Sequence, residues 1–90
     1  MGAVAEAITR KLSGAFSPSR LEVTDDSERH AGHSGARPGG ESHFTVVIQS
    51  AAFAGLSRIE RQRSIHAALA EELAGPVHAL SLEASAPGET

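Results

Sequence analysis

Hydrophobic and polar positions along the chain repeat with two different periods. From Ala3 to about Ala15, apolar residues recur at three- and four-residue intervals, which is typical of a helix with one buried face. A second helical pattern follows Ser57, which forms a predicted N-terminal capping box with Glu60, and it ends at Gly75-Pro76. The predicted buried positions of this second helix are Ile59, Ile65, Ala68, Leu69 and Leu73. Its solvent side is predicted to carry Arg58, Arg61, Gln62, Glu71 and Glu72.

Three further stretches alternate with a period of two, which is typical of half-buried strands. They predict strands over about Leu21–Thr24, Ser42–Gln49 and Val77–Ala84. The first two strands can pair antiparallel, while the strand-helix-strand crossover makes the third parallel to its neighbour. The sequence therefore predicts an α+β domain of order α-β-β-α-β, with a three-stranded mixed sheet covered by helices on one face. Residues 1–85 form this predicted domain, and residues 86–90 are predicted to be a disordered tail.

The segment between the first two predicted strands is the most unusual part of the chain. About fifteen residues intervene where a hairpin needs only two, and they are rich in glycine. His30 and His33 lie within this segment, and His43 lies at its far edge. Loops of this length in small domains are usually functional or disordered, so the segment is a candidate site.

Composition narrows the chemistry that the chain can perform. Its 90 residues suffice for one domain, and they include no cysteine, so disulfides and thiolate ligands are excluded. A net charge of −3 argues against a protein that mainly coats nucleic acid. Neither a nucleophile elbow nor a phosphate-binding loop is present, which leaves an enzyme hypothesis little support. No apolar run is long enough to span a bilayer and no signal peptide is visible, so a cytoplasmic location is expected.

The individual histidines leave several interpretations open. The His30-x-x-His33 spacing occurs among metal ligands, but in a glycine-rich loop it is weak evidence alone. His43 is expected to hold the base of the loop through a side-chain hydrogen bond, and His66 is expected to be a surface or partly buried residue of the second helix. His78 lies at the beginning of the third predicted strand, where a local packing role is the simplest interpretation.

Several segments taken together resemble the BolA family along nearly the whole chain. They are LEVTDDS with the following His30, then GGESHFTVVIQS, the tripeptide Phe53-Ala54-Gly55, the Glu60-Arg61 to Arg63 segment and LAEELAGPVHALSLEA. The combination of ESHF after a glycine-rich loop with VHAL in the last strand is the most specific part. The chain departs from the family pattern at Gln62, where relatives usually carry histidine between two arginines, and in its long loop, which adds His33.

The resemblance implies a fold similar to the class II KH domain and a monothiol glutaredoxin as partner. Members of the family share a [2Fe-2S] cluster with such glutaredoxins, in cluster trafficking or iron-linked regulation. By position, the family ligands correspond to His78 and His30, with His33 competing for the second place. The partner's cysteine and glutathione would supply two thiolates. The resemblance implies a heterodimer with glutaredoxin, and a monomer is expected for the chain alone.

Two other functions remain open from the sequence. The KH-like fold and the cluster of Arg58, Arg61 and Arg63 at the start of the second helix would suit a DNA-binding transcription regulator, although the net charge is negative. An autonomous zinc site of His30, His33 and His78 is also chemically reasonable, because neutral imidazoles suit Zn²⁺.

Overall fold

The computed structural model describes residues 2–26 and 42–89. Helix α1 spans Ala3–Phe16, strand β1 Arg20–Asp25, strand β2 His43–Gln49, a short 3-10 helix Ala51–Phe53, helix α2 Arg58–Ala68, helix α3 Ala70–Ala74 and strand β3 Ala79–Ser85. The predicted element order is confirmed, except that the second helix is divided into α2 and α3. The division falls at Leu69, whose backbone (φ −106°, ψ 21°) leaves the helical region.

Strand β2 is the centre of a three-stranded mixed sheet. It pairs antiparallel with β1 and parallel with β3, as predicted. Along β2, buried residues alternate with half-buried ones, so Phe44, Val46 and Ile48 point toward the helices. The core joins these side chains to α1, α2 and the connecting segments, and its members are Ala5, Ile8, Leu12, Phe44, Val46, Ile48, Phe53, Ile65, Leu69, Val77 and Ala86.

Helix termini follow the local chemistry of the sequence. Ser57 caps α2 through a complete capping box: its hydroxyl accepts from the Glu60 backbone N–H at 3.1 Å, and the Glu60 carboxylate accepts from the Ser57 N–H at 2.8 Å. At the end of α1, Ser17 adopts a left-handed φ of 45° and donates its N–H to the Ser13 carbonyl. The following Pro18 cannot continue the helix, so the chain turns into β1.

The prediction of which side of α2 is buried is wrong at the first turn of the helix. Ile59 is 58 % exposed, whereas Ile65 and Leu69 are fully buried. With about 100° of rotation per residue, Ile59 lies roughly 120° around the helix from Ile65, while Arg61 lies roughly 40° away. The inward position at the start of α2 therefore belongs to Arg61, which was expected on the solvent side.

Glu72 is a second polar residue that the structure places inside. It was predicted to face solvent, but it is 9 % exposed and its carboxylate accepts from Lys11 Nζ at 2.7 Å. The hydrogen bond to Glu72 is the main cause that raises the pKa of Lys11. This ion pair connects α1 to α3, which are far apart in the sequence. Burial of the Glu72 carboxylate is tolerated because its charge is paired with that of Lys11.

The C-terminal segment makes specific contacts, although the sequence predicts disorder from residue 86. Ala86 is buried, and the Glu89 carboxylate accepts two hydrogen bonds from Arg61 at 2.6 and 2.8 Å. Glu89 also accepts from the Ala86 N–H at 2.9 Å. Residues 86–89 are thereby attached to α2, and Thr90 lies outside the described residues.

The Glu89 carboxylate should make the stability of the protein sensitive to acid. Its hydrogen bonds from Arg61, and secondarily from Ala86, lower its pKa from 4.5 to about 2. A carboxyl whose pKa falls on folding stabilises the folded state above its unfolded pKa, and this contribution is lost as the pH falls from about 4.5 towards 2. Glu89→Gln should therefore flatten the fall of the unfolding free energy in this window, measured by urea titration at successive pH values.

Glu83→Gln is the matched control, because Glu83 is an exposed carboxylate on β3. It should leave the pH profile close to that of the unmodified chain. If the unfolding free energies of the unmodified chain and of Glu89→Gln fell in parallel as the pH was lowered, the role given to the Glu89 carboxylate would be contradicted.

Candidate functional site

His78 lies immediately before β3, with its imidazole exposed and its backbone anchored. Its N–H donates to the Ser42 carbonyl at 2.8 Å, and the Ala79 N–H donates to the same oxygen at 3.2 Å. The preceding Val77 is buried in the core, whereas His78 faces solvent. The side chain is therefore presented at the surface from a fixed point of the backbone.

The segment of residues 27–41 is connected to the sheet at the end where His78 lies. Strands β1 and β2 are paired up to Asp25 and Phe44, and the Asp26 N–H donates to the His43 carbonyl at 2.7 Å. The Thr45 hydroxyl also donates to the Asp26 carboxylate. Because β3 runs parallel to β2, its first residue, Ala79, is the register partner of His43. Asp26 and Ser42, the described residues that flank the segment, therefore lie at the end of the sheet where β3 begins.

Two of the predicted ligands cannot be placed. His30 and His33 lie outside the described residues, so their positions relative to His78 stay predictions. Within residues 2–26 and 42–89, no group of three or more His, Cys, Asp or Glu side chains is arranged to hold a metal ion.

His43 is the imidazole that the structure brings close to His78. The two ring centroids are 6.5 Å apart and the ring planes are inclined by 29°. His43 Nδ1 lies 2.9 Å from the hydroxyl of the buried Ser42, its neighbour in the chain. The sequence reasoning did not place His43 beside His78, because that requires the parallel register of β2 and β3. His66, exposed on α2 as expected, lies on another element.

The three arginines of the nucleic-acid hypothesis do not form one exposed group. Arg58 and Arg63 are exposed, but the Arg61 side chain is 12 % exposed. Arg61 donates to the Leu56 and Ala84 carbonyls, both at 3.1 Å, in addition to its paired hydrogen bonds with Glu89. Glu60 is the capping residue of α2, as predicted. Two of the three arginines are therefore directly available to an anionic ligand.

A cleft of about 420 Å³ lies away from the histidines, toward the end of β3. Its lining includes Arg20, Gln49, Arg58 and Ser85. Since Gln49 and Ser85 end their strands, whereas His43 and Ala79 begin them, the cleft and the histidine pair lie at opposite ends of the sheet. Among the described residues, no helix is both long and apolar enough to cross a membrane.

The fold and the site define a small α+β domain that presents an exposed histidine at one end of a mixed sheet. The family model described as BolA-like protein matches residues 12–89. The chain therefore belongs to the BolA family, which confirms the resemblance. Among solved structures, the BolA domain of SufE1 from Arabidopsis thaliana has a TM-score of 0.89 and 41% sequence identity, covering 100% of this chain and 99% of that one.

Curated relatives extend this similarity to animals and bacteria. BolA-like protein 1 of Pongo abelii is 51% identical over 89 residues, which cover 99% of this chain and 62% of that protein. The DNA-binding transcriptional regulator BolA of Escherichia coli K12 is 47% identical over 79 residues, covering 88% of this chain and 71% of the relative. The chain thus spans about 62% of the length of the animal protein.

Proposed function

We propose that this chain is an adaptor that binds a monothiol glutaredoxin and shares a [2Fe-2S] cluster with it. His78 supplies one imidazole, and His30 or His33 supplies the second. The adaptor performs no catalysis of its own and serves cluster trafficking or iron-linked regulation. The observation that carries the proposal is the exposed imidazole of His78, held by its backbone at the end of the sheet to which the His30 segment is attached.

The metal-binding side chains of this chain suit one of the two iron ions of a [2Fe-2S] cluster. A chain without cysteine can offer imidazole, and two imidazoles on one iron with thiolates on the other is a known arrangement for a [2Fe-2S] cluster. The cluster therefore needs thiolates from outside, and the cysteine of a glutaredoxin together with glutathione would supply them. This chain has no thiolate of its own, so it would hold the cluster only together with the partner.

Chain length allows the second imidazole to reach His78. His30 follows Asp26 by four residues, and four extended residues span at most about 14 Å. Asp26 is itself hydrogen-bonded to His43, whose ring lies 6.5 Å from the ring of His78. His33 is farther along from Asp26, so it requires a longer excursion of the backbone. The maximum extension of the chain therefore allows either His30 or His33 to reach His78.

Co-reconstitution tests the proposal. The chain is mixed with a monothiol glutaredoxin, ferrous iron, sulfide and glutathione under anaerobic conditions, and complexes are separated by size. We expect a one-to-one heterodimer that carries a visible cluster, and no cluster on this chain when glutaredoxin is omitted. A matched mixture lacking glutathione should lose the cluster. Failure of the two proteins to associate under any of these conditions would overturn the proposal.

A DNA-binding regulator is the second candidate, supported by the name of the Escherichia coli relative. The exposed Arg58 and Arg63 are its available phosphate contacts in α2, since Arg61 is engaged by Glu89. If these contacts are used, Arg58→Gln combined with Arg63→Gln should weaken binding in a gel-shift titration and reduce its salt slope by about two. No shift at low ionic strength, with the unmodified chain, would exclude this function.

A further inference from the structure

We propose that the cleft between the end of the sheet and the start of α2 binds a small phosphate ester, of the size of a mononucleotide or a sugar phosphate. The cleft volume of about 420 Å³ lies within the range of small-molecule sites, which is roughly 300–1,000 Å³. The cleft and the histidine pair lie at opposite ends of the sheet. The inference therefore goes beyond the proposed function, and it concerns a ligand that can bind whether or not a cluster is present.

Three strands and a helix bring the polar groups of the cleft together. Arg20 on β1, Gln49 on β2 and Ser85 on β3 are register partners, so they form one row across the end of the sheet. Arg58 and Gln62 belong to the first turns of α2 and lie on the same side of that helix, because they are four residues apart. Hydrogen-bond donors from the sheet and from the helix therefore line one cleft.

Positive charge is concentrated in this cleft, although the chain as a whole carries a net charge of −3. Three of the eight lysine and arginine residues line it, against one carboxylate, Glu83. Among the described residues, Arg58 has no ion-pair partner. Arg20 is paired with Glu22, but both side chains are more than half exposed, and such pairs contribute little to stability. Arg20 and Arg58 are therefore both available to a phosphate group, to which a guanidinium donates paired hydrogen bonds.

Other groups of the lining are held in place by their neighbours. Arg61, the third arginine, donates to two backbone carbonyls and pairs with Glu89, so it forms a fixed wall whose charge is already neutralised. The side-chain oxygen of Gln49 accepts from the Ser19 hydroxyl at 3.0 Å, which leaves the NH₂ group of Gln49 as a donor. Little ordering of these groups is needed when a ligand binds, and this favours affinity.

The remaining lining favours an ester over a free phosphate ion. Val47 and the partly buried Leu82 supply apolar surface for a sugar ring or a base. The Glu83 carboxylate only accepts hydrogen bonds, so it suits hydroxyl groups and disfavours a second anionic group. A ligand with one phosphate, hydroxyl groups and an apolar part matches this combination.

Titration of the ¹⁵N-labelled full chain with AMP, followed by nuclear magnetic resonance, tests the site. We expect saturable shifts that include the side-chain amides of Gln49 and Gln62. Arg20→Gln and Arg58→Gln should each weaken AMP binding by about tenfold, because each removes charge-assisted hydrogen bonds. Adenosine, which lacks the phosphate, should bind at least about tenfold more weakly than AMP for the same reason. Ribose phosphorylated at its terminal hydroxyl should shift the same signals, and the tighter of the two phosphorylated probes shows whether a base belongs to the ligand.

Arg63→Gln is the matched control, because Arg63 is also an exposed arginine of α2 but does not line the cleft. It should leave AMP affinity unchanged, and circular dichroism verifies that each variant is folded. Equal losses in Arg58→Gln and Arg63→Gln would place the anion on the helix surface and overturn the inference. Equal affinity for AMP and adenosine, or no saturable binding of AMP, would also overturn it. The titration contains no glutaredoxin, iron or glutathione, so its outcome is independent of whether the shared cluster forms.

Discussion

Replacement of His78 by alanine should abolish the cluster that this chain shares with a monothiol glutaredoxin. The imidazole of His78 is exposed at the end of the sheet, and its loss would leave one iron with a single imidazole from this chain. Substitutions outside the ligand set already cost 10–100-fold in metal affinity, so the loss of a ligand should lower cluster retention by more than about tenfold. Visible absorption and circular dichroism of the purified complex measure the effect.

His66→Ala provides the matched control for this prediction. His66 is also exposed, but it lies on α2 rather than at the start of β3. Its replacement should leave the cluster spectrum unchanged, which separates the loss of a ligand from the loss of any surface histidine. An unchanged spectrum in the His78→Ala complex would show that His78 is not a ligand.

Phe53→Ala should cause a large loss of stability. Phe53 is completely buried in the short 3-10 helix after β2, and its ring centroid lies 5.0 Å from that of Phe16. Truncating such a side chain removes its buried apolar area and leaves a cavity, at a cost of about 3–5 kcal/mol. A domain of this size has a total stability of roughly 5–13 kcal/mol, so a large part of it would be lost. Urea unfolding followed by circular dichroism measures the change.

Ile59→Ala is the control for the core, because it also removes a large aliphatic side chain but from an exposed position. Ile59 is 58 % exposed, so its replacement should change the unfolding free energy by less than about 0.5 kcal/mol. If both variants lost similar stability, the placement of Phe53 in the core and of Ile59 on the surface would be incorrect.

The elements of the fold could be predicted because they depend on local patterns. The period-two alternation of Phe44, Val46 and Ile48 identifies the central strand, and the same three residues are buried in the structure. The Ser57 and Glu60 pair identifies the start of α2, where both hydrogen bonds of the capping box are present. Each of these signals lies within a few residues of the structure that it predicts.

The long-range polar contacts could not be predicted in the same way. Arg61 occupies the inward position of α2 because Glu89, 28 residues later, accepts its hydrogen bonds. Glu72 is buried because Lys11, 61 residues earlier, donates to it. Hydrophobic periodicity assigns charged residues to the solvent side, so it cannot identify a buried charge whose partner lies elsewhere in the chain.

The site shows the same division between local and long-range information. His78 could be singled out from the family motif, and its place at the start of the last strand was nearly correct. The proximity of His43 and His78 depends on which residue of β2 pairs with Ala79. The sequence of one strand alone does not determine its register with a strand that is distant in the chain. The ligand role of His78, with His30 or His33, stays a prediction.

Pulsed electron paramagnetic resonance of the reduced complex tests the central claim most directly. The chain is produced with ¹⁵N-labelled histidine and reconstituted with unlabelled glutaredoxin, iron, sulfide and glutathione. Strong hyperfine couplings from two ¹⁵N nuclei are expected, because two imidazoles of this chain would bind one iron of the cluster. A cluster whose spectrum contains no ¹⁵N coupling would show that its ligands come entirely from elsewhere, and it would contradict the proposed function.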